Sequence, residues 1–167
     1  MTQTFEGVRV VELAQYVFVP ASGTLLADHG AEVIKIEPPG TGDPYRTLKI
    51  GDGRETAKAN LSMEQNNRGK KSVAIDLKSE EGREILLRLI ETADVFLTSL
   101  RPRALKSLQL DPEDVMARNP RIIYARGNGL GFKGEEFDKA GYDASAFWAR
   151  GAVAADAGAT VAAAAGS

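Results

Sequence analysis

Five short runs of β-branched and aliphatic residues recur along the chain, and the stretches between them carry helix signals rather than hairpin turns. The runs are Val8 to Leu13 (VRVVEL), Ala31 to Glu37 (AEVIKIE), Lys71 to Leu77 (KSVAIDL), Asp94 to Leu100 (DVFLTSL) and Arg121 to Arg126 (RIIYAR). Strands separated by helices join through crossovers and pair in parallel, so the alternation predicts an α/β fold, a Rossmann-like parallel sheet with flanking helices. Pro20 suits the first turn of the first connecting helix, and Gly30 is placed as the left-handed residue that ends it. Ser79 caps EEGREILLRLIETA, where Ile85, Leu86, Leu89 and Ile90 fall at helical spacing and two glutamates favour the first turn. Pro102 opens a short helix, and Asp111-Pro112 caps another that ends near Asn119-Pro120. PPGTGDP makes 38–53 a loop, and 54–69 is polar and ambiguous. GNGLGFKGEEFDKAG is a glycine-rich loop, and a further helix is expected from Tyr142 to Ala152, with Phe147 and Trp148 as its packing residues.

At 167 residues the chain is one domain or a large piece of a larger one. A net charge of −2 argues against nucleic acid as a partner. The absence of cysteine removes disulfides, thiolate metal sites and cysteine nucleophiles. The single histidine, His29, excludes a His-rich zinc site, sits at a helix end where a cation is favoured, and leaves no metal expected. No apolar run approaches the ~18 residues of a membrane span, and MTQTFEGVRV has no signal-peptide core, so a soluble, cytoplasmic protein with no membrane partner is expected. From Ala152 the chain reads AVAADAGATVAAAAGS, with nine alanines in sixteen residues. The expected organisation is a partial domain over 1–151 followed by an Ala-rich tail over 152–167, disordered or an artefact.

In such a sheet, ligands bind beyond the carboxyl ends of the strands. The loop after the first strand, Ala14 to Pro20, lacks G-x-G-x-x-G, although Glu37 falls where an acidic ribose ligand would in an NAD-binding domain. Tyr16, Val17 and Phe18 read equally as ligand-facing or as packing under the loop. NRGKK before the third strand and RPR after the fourth are either phosphate-holding cations or a solvated surface. Pro102, at a helix start, inclines Arg101 toward anion binding. Tyr142-Asp143 is either a functional pair after a glycine loop or a helix cap.

Taken together, FEGVRVVELAQ, LLADHGAEVIKIEPPGTGDPYR, NRGKKSVAIDLKSEEGREILLRLIETADVFLTSLRP, NPRIIYARGNGLG and AGYDASAFWARGA resemble the class III CoA-transferase family, the formyl-CoA and carnitine CoA-transferase group that includes α-methylacyl-CoA racemases. The resemblance covers residues 5–155. It implies a CoA-binding domain of an enzyme that moves CoA between an acyl-CoA and a carboxylic acid, as a homodimer in full-length members. By position, Tyr16, Val17 and Phe18 would lie near the thioester and pantetheine arm, and Lys70 and Lys71 near the CoA nucleotide. Ser99, Leu100 and Arg101 would contact CoA, and Tyr142 and Asp143 the acyl group. Two positions depart from the pattern: Pro38 stands where an arginine is common, and Val17 where some transferases have glutamine.

The racemase branch has a histidine base where this chain has Tyr142. A phenol, ordinarily titrating near ~10, is a poor match to proton abstraction at neutral pH, which favours transfer over racemisation. The last motif resembles members acting on aromatic or branched 2-hydroxy acids and succinyl-type acids. The family's nucleophile is a Gly-Asp aspartate some thirty residues beyond the Tyr-Asp pair, which attacks the thioester to give an anhydride and then an aspartyl-CoA thioester. That count runs past Ser167, and Asp156 comes too soon to serve. The chain is therefore expected to be the amino-terminal, CoA-binding part of a transferase, inactive alone, arising by truncation, frameshift or as a short paralogue. The alternatives are a non-catalytic CoA- or partner-binding chain, a racemase relative, and an NAD-binding Rossmann domain.

Overall fold

The computed structural model describes residues 3–48, 60–142, 144–153 and 155–158. Asp143, the end of the expected 38–53 loop, the start of the ambiguous 54–69 segment and residues 159–167 of the tail lie outside the described residues. The chain forms two compact units, residues 1–127 and 128–167.

The first unit is a five-stranded sheet in the order β3-β2-β1-β4-β5. The strands are β1 (Arg9–Leu13), β2 (Glu32–Glu37), β3 (Lys71–Ala74), β4 (Val95–Thr98) and β5 (Ile123–Arg126), and every pairing is parallel. Between them run α1 (Phe18–Asp28), α2 (Leu61–Asn67), α3 (Glu80–Glu91), α4 (Pro102–Leu108) and α5 (Pro112–Arg118). The two-residue period of a strand divides the core between two faces. Val11, Leu13, Ile34, Ile36 and Phe96 pack with Leu86 and Ile90 of α3, Leu105 of α4 and Val115 of α5. Val10, Ala14, Val33 and Leu97 pack with Val19 of α1. Helices thus cover both sides, and the order reverses direction between β1 and β4, where an α/β sheet opens a crevice at its carboxyl edge.

Local chemistry sets the boundaries. Ser79 Oγ accepts the Gly82 amide at 3.0 Å to cap α3. Gly30, at φ +102°, ends the turn after α1 as expected. Several strands are shorter than their apolar runs. The Thr98 hydroxyl ends β4 by donating to the Leu13 carbonyl at 2.8 Å and accepting the Leu100 amide at 3.1 Å. β3 stops because Asp76 enters the turn that starts α3, with its carbonyl accepting the Ser79 hydroxyl at 2.8 Å. α2 arises where the sequence shows no apolar period: Asn60 Oδ1 accepts the Met63 amide at 3.0 Å, and Met63 and Asn66 are buried.

The second unit contains a π-helical turn, Ala144–Arg150, and an ion cluster in which Glu136 accepts from Lys139 and Arg150. Phe147 and Trp148 meet edge to face at 5.6 Å and are 60% and 47% exposed, so they do not form the packed face expected of a last helix. No helix among the described residues is long and apolar enough to cross a membrane.

Candidate functional site at the carboxyl edge of β1 and β4

The register of β1 on β2 pairs Glu12 with Lys35, two opposite charges inside apolar strands. Both are buried on the α1 face, with side chains 0% and 1% exposed. Lys35 Nζ lies 3.2 Å from Glu12 Oε1 and 2.9 Å from Asp43 Oδ2. Lys70 Nζ completes the cluster at 2.7 Å from Glu12 Oε2 and also donates to the Pro20 carbonyl of α1 at 2.8 Å. Two buried carboxylates thus face two buried ammoniums, the condition under which such charges are tolerated. Burial pushes the Glu12 carboxyl above the usual carboxylate range against the pull of Lys70 and Lys35, and burial pushes the Lys70 ammonium down.

Above this cluster the chain turns from β1 into α1, and three side chains from other elements hold the turn. Lys35 Nζ donates to the Ala14 carbonyl at 2.9 Å. Ser99 Oγ accepts the Gln15 amide at 3.0 Å. Asp43 Oδ1 accepts the Tyr16 amide at 3.1 Å. Tyr16 is left-handed at φ +64°, a conformation that costs a non-glycine residue about 1–2 kcal/mol, and its ring meets Tyr45 edge-on at 6.4 Å. Val17 and Phe18 follow, 41% and 69% exposed. The packing alternative for these two side chains is therefore corrected: they face outward because the clamped turn lifts them off the core.

Val17, the residue before α1, makes no side-chain cap hydrogen bond to the helix's first-turn amides. A β-carbon on Gly127, at the end of β5, would stand 2.7 Å from Phe18 Cε1, so the glycine gives that ring its place. Beside the turn, Ser99 and Leu100 are half-buried and Arg101 is exposed at the start of α4. The structure therefore brings Tyr16, Val17, Phe18, Ser99, Leu100 and Arg101 to one edge.

The two lysines expected near a CoA nucleotide do not join this group. The Lys70 ammonium is engaged beneath it, on Glu12. Lys71 begins β3, at the amino end of the sheet, and its ammonium donates to Glu32 Oε1 at 2.6 Å. Tyr142 belongs to the second unit, is exposed, and has its carbonyl bonded to the Ser145 and Ala146 amides.

Glu37, in the position of an acidic ribose ligand, has both oxygens occupied by the protein. Arg46 donates to them at 2.6 and 2.7 Å, Ser72 Oγ at 2.7 Å and the Asp43 amide at 2.7 Å. The Arg46 fork does most to hold the Glu37 carboxyl down, from 4.5 to about 2. Sequence reasoning assigned no role to Glu12, Lys35 or Asp43. The available signal was a charged residue within each of two apolar strand runs, which in a parallel sheet covered on both faces demands a partner.

A parallel sheet whose order reverses between β1 and β4, with a clamped, outward-facing loop at that point, has the architecture in which α/β proteins hold ligands at the carboxyl ends of their strands. Residues 5–163 match the family model of CoA-transferase family III, and the chain belongs to that family. It is 42% identical over 153 residues to the cinnamoyl-CoA:phenyllactate CoA-transferase of Clostridium sporogenes, covering 91% of this chain and 37% of that protein. It is 39% identical over 137 residues to the mouse alpha-methylacyl-CoA racemase, covering 82% of this chain and 31% of that protein. The crystal structure of Rv3272 from Mycobacterium tuberculosis superposes with a TM-score of 0.77 at 40% identity, covering 85% of this chain and 39% of that one. The chain thus spans less than two fifths of the length of these relatives.

Proposed function

We propose that this chain is the CoA-binding, amino-terminal part of a CoA-transferase that moves CoA between an acyl-CoA thioester and a free carboxylic acid. The family match over residues 5–163 carries the proposal, and the grouping of side chains at the carboxyl edge supports that edge as the site. Tyr16, Val17 and Phe18 line the pantetheine and thioester end, with Ser99, Leu100 and Arg101 alongside. Arg101 offers a planar, permanent cation to a phosphate oxygen. Lys70 acts from below, as the support that ties α1 to Glu12, and Lys71 is assigned no contact. Tyr142 and Asp143 serve the acyl group.

Relatives named as acting on phenyllactate and on (R)-2-hydroxy-4-methylpentanoate support an aromatic or branched 2-hydroxy acid as the acceptor. Tyr142 in place of a histidine base supports transfer over racemisation. The occupied oxygens of Glu37 weigh against NAD, whose ribose would need that carboxylate as an acceptor. Thermal unfolding with ligand tests the reading, because a ligand stabilises the state it binds. CoA at saturating concentration raises Tm and NAD does not. Protection by NAD, or by neither, would refute the CoA reading.

A further inference from the structure

We propose that Asp43 is a positioning residue, which holds the Ala14–Val17 turn in the one conformation that presents Val17 and Phe18 to CoA. The inference rests on the CoA-binding reading and extends it to a residue on a different loop. Asp43 is buried, at 1% exposure, and follows the glycine-rich turn after β2. Its own position is fixed from two sides. Its amide donates to Glu37 Oε2 at 2.7 Å, and its Oδ2 stands 2.9 Å from Lys35 Nζ.

From there Oδ1 receives two amides, Tyr45 at 2.9 Å and Tyr16 at 3.1 Å. The second of these matters most, because Tyr16 is left-handed and a tyrosine does not choose that backbone unaided. Lys35 grips the same turn two residues earlier, through the Ala14 carbonyl at 2.9 Å. A single buried ion pair therefore holds both ends of the turn, one by an acceptor and one by a donor. Dinucleotide-binding folds use glycines at this place to admit the backbone conformation. Here a non-glycine residue adopts it because a carboxylate from the next βα loop holds its amide. Once that bond is lost, Tyr16 relaxes toward negative φ, and the residues after it, Val17 and Phe18, change direction.

Two measurements on the full chain decide the matter. Amide hydrogen exchange at Tyr16 should be slow in the wild type and at least about tenfold faster in Asp43→Ala, while Val10 and Val11 in the sheet keep their protection. Calorimetric titration should show the CoA Kd rising about tenfold in Asp43→Ala. In a Tyr16→Gly background, where the left-handed backbone carries no penalty, the same change should cost less than about threefold. A role in stability alone would give the same loss in both backgrounds, and that result would overturn the proposal. Unchanged Tyr16 exchange in the variant would also overturn it. Should Asp43→Ala fail to fold, Asp43→Asn keeps the side-chain shape, replaces the acceptor facing Lys35 or the amides by a donor, and is subject to the same comparison. Should the wild-type chain bind no CoA, the proposed function fails. The exchange comparison then stands alone: accelerated exchange upholds the clamp on the turn, and unchanged exchange removes it.

Discussion

Single atoms carry much of the architecture near the edge. A β-carbon on Gly23 would stand 1.9 Å from Glu12 Oε2. That oxygen cannot swing aside cheaply, since Lys70 holds it at 2.7 Å in a buried pair. Gly23→Ala should therefore lower stability by about 2 kcal/mol, read by urea unfolding; a change under about 0.5 kcal/mol would show that the cluster yields. Removing the ammonium should cost more. Lys70→Ala leaves Glu12 buried with Lys35 alone, and a loss of about 3 kcal/mol is expected from the same measurement.

Glu37 makes a prediction with pH. Its folded value is depressed to about 2 from the ordinary 4.5, chiefly by Arg46. In the range between those values the unfolded chain takes up the proton first, so the stability this carboxylate supplies is complete above pH 4.5 and is lost as pH falls toward 2. Glu37→Gln lacks that component. The stability gap between wild type and variant should accordingly be largest near neutrality and narrow in acid, as followed by urea midpoints from pH 7 to 2.5. A gap that stays constant with pH would deny the carboxylate its role.

Elements divide into those that announce themselves in sequence and those that depend on distant partners. The five strands and α3 are legible because apolar period, cap and glycine all agree on one assignment. Ser79→Ala removes the α3 cap and should cost about 1 kcal/mol in thermal or chemical unfolding, with no loss indicating that water replaces it. α2 was illegible for a physical reason. LSMEQNN has no apolar stripe, and the helix begins because Asn60, besides capping it, donates to the carbonyls of Tyr45 at 2.9 Å and Arg46 at 3.1 Å. The site divides the same way. The position of the loop after β1 follows from topology alone, whereas Lys70 reads in sequence as a phosphate-holding or solvated cation and is buried because Glu12 draws it under α1. The turn at Tyr16 is invisible to local propensity, since its conformation is imposed by Asp43 from 27 residues away.

Above single elements, the sheet of residues 1–127, its two apolar faces and its clamped edge form the scaffold on which the proposed CoA site rests. Membership in CoA-transferase family III makes CoA the ligand proposed for that edge. Binding at the carboxyl edge is the property that tests the proposed site most directly. The direct measurement is a CoA titration of the uniformly nitrogen-labelled chain, followed by amide chemical shifts. Saturable shifts concentrated at Gln15 to Phe18 and Ser99 to Arg101, with Lys71 and Glu32 at the amino end unmoved, are the expected result. Shifts centred on the amino end of the sheet, or none at millimolar CoA, would contradict the assignment of this edge as the CoA site.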